Sequence, residues 1–160
     1  MPDMCHDTKR STVRGYAVTV KKLRVFASAA VGLLVASSAW AGGTPSPPGA
    51  KVYIIWPNDG QVISSGEFWL RMGAHGIGIC PAGLKMANVG HHHVIIDAPL
   101  PPLDQEIPND PNHRHFGGGQ TEAHLQLLPG RHTIQLLMAD QDHVPHDPPL
   151  YSKVITVIVP

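Results

Sequence analysis

Ten histidines fall between residues 75 and 146, and most of them are grouped. His91, His92 and His93 are consecutive; His113 and His115 form an H-x-H pair, and His143 and His146 an H-x-x-H pair. His75, His124 and His132 stand alone. Imidazole is the commonest metal ligand and titrates near neutrality, so such groups point to a metal or to a pH switch. Alternate residues of an extended chain share a face, so His91 and His93 point one way and His92 the other. The same spacing lets His113 and His115 reach one ion from one segment. Three or four imidazoles drawn from these pairs would make a nitrogen site suited to zinc or Cu(II). The candidate ligands are therefore His91, His93, His113, His115, His143 and His146. His93 and His115 rank first, because each adjoins a strand able to hold it. Gly117-Gly118-Gly119 would let backbone approach the site closely. Asp140, Asp142 and Glu122 are candidate acceptors for the far ring nitrogens. Met86, near Cys80, is the methionine that could add a soft sulfur for Cu(I).

These residues form one site only if the fold gathers them. Gly and Pro number 16 each, which argues against a helical bundle and for short strands joined by turns. Strands are expected over residues 51–56 (extended through 61–64), 67–73, 91–98, 121–127, 131–139 and 151–159. The fold expected is all-β, an antiparallel immunoglobulin-like β-sandwich of about six to seven strands, with a small barrel as the alternative. In such a sandwich the loops over residues 74–90, 99–120 and 140–150 share one end. His75, His91–His93, His113, His115, His143 and His146 would then converge at that pole, and His132 would lie at the other. A single histidine is more often a hydrogen-bonding loop residue than a ligand, but so many at one pole read as a metal signature. His92 is expected half-buried and structural, and His124 facing solvent or the partner sheet. Met72 and Met138 are expected in the core, and Cys80 as a buried small hydrophobe.

Four motifs occur in order: Gly90-His91-His92-His93, then HFGGGQTE over residues 115–122, then LPGRHTIQLL over 128–137, then D-x-x-H-x-x-H-D-P-P over 140–149. In these the chain resembles the small exported bacterial family called domain of unknown function 4399, over nearly all of residues 48–160. The resemblance implies a secreted or periplasmic single domain and carries no established activity.

The formal charge is zero, twelve Lys+Arg against twelve Asp+Glu, which argues against a nucleic-acid partner. Residues 1–41 read as a signal peptide: Lys21, Lys22 and Arg24, an apolar run over 25–36, and Ala39-Trp40-Ala41 as the cleavage site. Residues 1–19 read as lying upstream of the true start, with Val20 as the alternative initiation position. Residues 42–50 form a flexible Pro/Gly-rich lead-in and residues 51–160 the His-rich domain. The apolar run is too short for a membrane span, so no membrane attachment is expected after cleavage, and the location expected is periplasmic or secreted. Residues 42–160 keep six of the twelve basic and ten of the twelve acidic residues, a mildly acidic balance, and a single cysteine. One cysteine leaves no internal disulfide in an exported domain.

Two functions stay open. One is an exported soluble metal-binding protein, a copper or zinc carrier, buffer or resistance factor. The other is a non-metal immunoglobulin-like module of the cell envelope that binds a partner or senses pH. The partners implied are the metal ion and an envelope protein. The sequence has no G-x-S-x-G elbow, H-E-x-x-H helix or phosphate motif, so enzymatic activity is not the first expectation.

Overall fold

The computed structural model describes residues 43–160 together with Gly15, so the expected leader, apart from that glycine, lies outside the described residues. Hydrophobic alternation sets the first sheet. In β3 (Glu67–His75), Phe68, Leu70 and Met72 are buried while Glu67, Trp69 and Arg71 face solvent. β7 (Glu122–Gln126) buries Ala123 and Leu125 in the same manner. With β1 (Lys51–Trp56) they form an antiparallel sheet in the order β1-β3-β7.

The second sheet runs β2 (Gln61–Val62), β9 (Ile155–Val159), β8 (Gly130–Ala139), β5 (Val89–Ile96) and β4 (Gly78–Ile79). β6 (His113–Phe116) pairs with β5 along the edge that β8 leaves free. Leu70, Met72 and Leu125 of the first sheet join Val94, Leu136 and Val157 of the second in one core. The fold is all-β, two sheets around a shared core, with no helix among the described residues.

β5 carries the functional argument. Its inward row, Val94 and Ile96, belongs to the shared core. Its outward row, His91, His93 and Ile95, would face water if the sheet were bare. Instead residues 97–112 fold back over it. Ile95, Leu137 and Ala139 pack against Ile107 in a second apolar cluster, flanked by Ala98, Leu100 and Leu103. Every residue from Gly90 to Ile96 is consequently buried.

The elements differ from expectation in several places. Gly78–Ile79, expected in a loop, form β4. β2 and β4 pair in parallel with β9 and β5, so the second sheet is mixed rather than antiparallel. Residues 113–116, expected in a loop, form β6; an HRHF run has no apolar alternation to betray a strand. β5 spans Val89–Ile96 rather than 91–98, because Asp97 turns to a left-handed φ of 54°. There its carboxylate accepts the Thr133 amide at 2.8 Å. The last strand starts at Ile155, since Tyr151 makes only an isolated bridge to Leu137 and the Ser152 hydroxyl accepts the Leu136 amide at 2.9 Å.

Ile107 is 3% exposed and anchors the covering segment. Ile107→Ala should therefore lower stability by about 2–5 kcal/mol, read by denaturant unfolding. A loss well under 1 kcal/mol would show that this segment does not depend on its apolar anchor.

Candidate metal centre

Antiparallel pairing builds the site. His93 lies opposite His115 in the β5–β6 register, and directly opposed residues point to the same face. His91 lies one step along the same outward row. His143 comes from the turn that follows β8. The four rings close on one another, with centroid separations of 5.1 Å (His91–His93), 4.9 Å (His91–His115), 5.2 Å (His91–His143), 5.0 Å (His93–His115) and 4.7 Å (His115–His143). The widest, His93–His143, is 6.2 Å. His91, His115 and His143 each offer one ring nitrogen within 4.8 Å of the others and could hold a metal ion.

Burial makes this arrangement costly without an occupant. His91 and His93 are 0% and 1% exposed. His91 Nε2 lies 3.1 Å from His93 Nε2. One proton can bridge that pair, while Nε2 of His115 is buried with no partner. Nδ1 of His91 and of His93 is also unpaired, on the side of each ring away from the Nε2 pair. A buried polar atom left unpaired costs about 1–3 kcal/mol. A tetrahedral ion with metal–nitrogen bonds of about 2.0–2.1 Å sets its ligand nitrogens about 3.3 Å apart. The observed 3.1 Å between the two Nε2 atoms fits such a pair.

Two local features place the rings. Gly117 lies beneath the His115 imidazole, and a Cβ there would collide with its Cε1 and Nε2. His143 adopts a left-handed φ of 64° in a turn where its amide donates to the Asp140 carbonyl at 3.1 Å. The Asp140 carboxylate is buried and accepts the amides of Asp142 at 2.9 Å and Val144 at 3.1 Å. It stiffens the turn through backbone amides rather than through an imidazole.

The other histidines have other work. His113 shares the outward face, but its Nδ1 pairs with Asp110 at 3.0 Å. Asp110 also accepts the His113 amide at 2.9 Å, a local turn that D-x-x-H could have signalled. His146 is buried with Nε2 3.2 Å from the Val89 carbonyl. It packs so close to β5 that a Cβ on Gly90 would come within 2.7 Å of its Cε1. His75 ends β3, exposed, opposite Lys51 on β1. His92 faces inward and is fully buried, with both ring nitrogens unpartnered. His124 packs against the exposed Trp69, with ring centroids 5.3 Å apart and planes inclined at 56°. His132 sits near the opposite end of β8, with Nδ1 2.6 Å from Asp97 and Nε2 2.8 Å from the Leu128 carbonyl. Glu122 pairs with Arg71 at 3.2 Å, and Asp142 with the Gln141 amide at 2.8 Å, so neither carboxylate is spent on an imidazole. Met72, Met138 and Cys80 are buried, and Met86 is exposed.

Residues 70–160 match the model of a family described as Domain of unknown function (DUF4399). The chain belongs to this family. No curated protein and no solved structure matches the chain. The DUF4399 match begins inside β3, so it includes His91, His93, His115 and His143 but not β1.

Burial also sets the protonation of the cluster. Desolvation, then the charges of His115 and His143, lower His91 from 6.5 to about 4. Desolvation, then its neighbouring histidines, take His93 to about 3. Desolvation alone takes His92 to about 4. His115 and His146 are lowered chiefly by burial. Below the ordinary value of 6.5 the unfolded chain takes up protons that these buried rings refuse. Stability of the metal-free protein should therefore fall as pH drops from 6.5 towards 4. His132 has the opposite sign: its hydrogen bond to Asp97 raises its pKa, so its contribution is present below 6.5 and fades as pH rises through the raised value. Urea titrations at pH 7 and pH 4.5 should show a clearly lower midpoint at the acid pH. Equal midpoints would contradict the burial of neutral imidazoles.

Proposed function

We propose that this domain is an exported soluble protein that binds one copper or zinc ion on His91, His93, His115 and His143. The observation that carries this is the convergence of four imidazoles from β5, β6 and the turn after β8, with Nε2 of the fully buried His91 and His93 3.1 Å apart and Nε2 of His115 buried without a partner. Neutral imidazole is the form that binds metal, and burial favours that form in His91, His93 and His115. Four nitrogen donors suit zinc and Cu(II) alike. A set filled by four protein ligands favours holding an ion, as in a carrier or buffer, over catalysis, which needs an open position. Export follows from the leader read over residues 1–41. An immunoglobulin-like arrangement is supported by the order β1-β3-β7 in one sheet, by β9-β8-β5 in the other, and by β2 pairing in parallel with β9. The second reading, a partner-binding module, is favoured by the exposed Trp69 with His124 packed beside it.

Calorimetric titration of Zn(II) and Cu(II) separates the two. His93→Ala and His115→Ala should each weaken binding well beyond the 10–100-fold typical of residues that only support a ligand. His132→Ala should leave affinity unchanged and lower stability by about 1–2 kcal/mol. Equal weakening by His132→Ala and His93→Ala would overturn the proposed site, and no binding by the unaltered protein would overturn the metal function.

A further inference from the structure

His143 is the one member of the cluster that no strand holds. Its turn is tied instead to the segment at the start of the described chain. The Thr44 amide donates to Asp140 Oδ2 at 2.9 Å, across 96 residues of sequence. The Asp147 amide donates to the Thr44 carbonyl at 3.1 Å, and the Ser46 amide to the Asp147 carbonyl at 2.9 Å. Pro45 thereby bridges Asp147 in parallel. Gly43 lies so close that a Cβ would collide with the Pro145 carbonyl oxygen and come within 3.0 Å of the Val144 carbonyl.

The opposite oxygen of Asp140 accepts the amides of Asp142 and Val144, on either side of His143. One buried carboxylate therefore joins the strap to the turn. Without the Thr44 donor that carboxylate would be left underpaired in a buried position, and the turn would lose an anchor. These residues precede the family match over 70–160, so the strap lies outside the matched region. The cleavage site expected at Ala39-Trp40-Ala41 would make the strap the amino end of the exported chain.

We infer that residues 43–46 form a positioning strap that holds His143 in the cluster through Asp140, so that undocking the strap speeds release of the metal. This inference rests on the metal function proposed above. Its test is the Zn(II) dissociation rate, measured with excess chelator on protein expressed with its own leader and purified without an affinity tag. Gly43→Ala, a wedge against the Pro145 carbonyl, should raise that rate about tenfold, the lower range for residues that orient ligands. In a His143→Ala background the same substitution should change the rate by less than about twofold, the spread expected of independent sites. Thr44→Pro, which removes the donor and adds no atom at Pro145, should reproduce the result and serves where Gly43→Ala does not fold. An unchanged rate would overturn the strap's role, as would equal acceleration in both backgrounds, which is the mark of general destabilisation. Absence of Zn(II) and Cu(II) binding by the unaltered protein would instead overturn the metal function, and the strap's role with it.

Discussion

Burial of both faces of β5 is the constraint on which the rest of the structure depends. A strand in the middle of a sheet, covered on each side, normally reads as a continuous apolar run. β5 reads that way only in its second half, Val94-Ile95-Ile96. Its first half places three imidazoles where aliphatic side chains would pack. The covering segment over residues 97–112 keeps Ile95 dry and encloses the same row that His91 and His93 occupy. The cost falls on the ring nitrogens, and an ion seated at the Nε2 pair and at Nε2 of His115 offsets the part of it that falls on those atoms. His92, on the inward side, meets the same dryness without other imidazoles beside it. That contrast separates a buried histidine from a buried group of them.

The fold was legible where alternation was strong. Phe68, Leu70 and Met72, and Ala123 and Leu125, alternate with polar neighbours, and both segments are strands. The row Ile134, Leu136 and Met138 alternates with Thr133 and Gln135 only at its start, because Leu137 and Ala139 are apolar and join the second cluster. β6 was hidden because strand pairing, not hydrophobicity, sets it: His115 and His113 earn their places opposite His93 and Ile95 through register alone. Asp97 ended β5 early through a left-handed turn that no run of apolar residues announces.

The cluster was legible in part for the same reason. Period two put His91 and His93 on one face, and the expected order of the strands brought the segment before β7, with His113 and His115, and the loop after β8 to the same end. What spacing could not supply is which rings have other partners. His113 is held by an aspartate three residues away, and His146 by a carbonyl 57 positions away. Both look like ligands in the sequence, but neither ring is among the four that close on one another. The acidic residues were misleading in a related way. Asp140 matters, but as an acceptor of backbone amides that shape the His143 turn, a role invisible until the turn is seen. Gly117 is the converse: its lack of a side chain, read as room for close approach, is where the His115 ring lies.

The central claim is that four imidazoles share one ion. X-ray absorption of protein loaded with one equivalent of Zn(II) reads the donor set directly. Four nitrogen scatterers at about 2.0–2.1 Å, with the outer-shell pattern of imidazole rings, are the predicted result. A shell dominated by water or carboxylate oxygen, with one imidazole or none, would contradict the account.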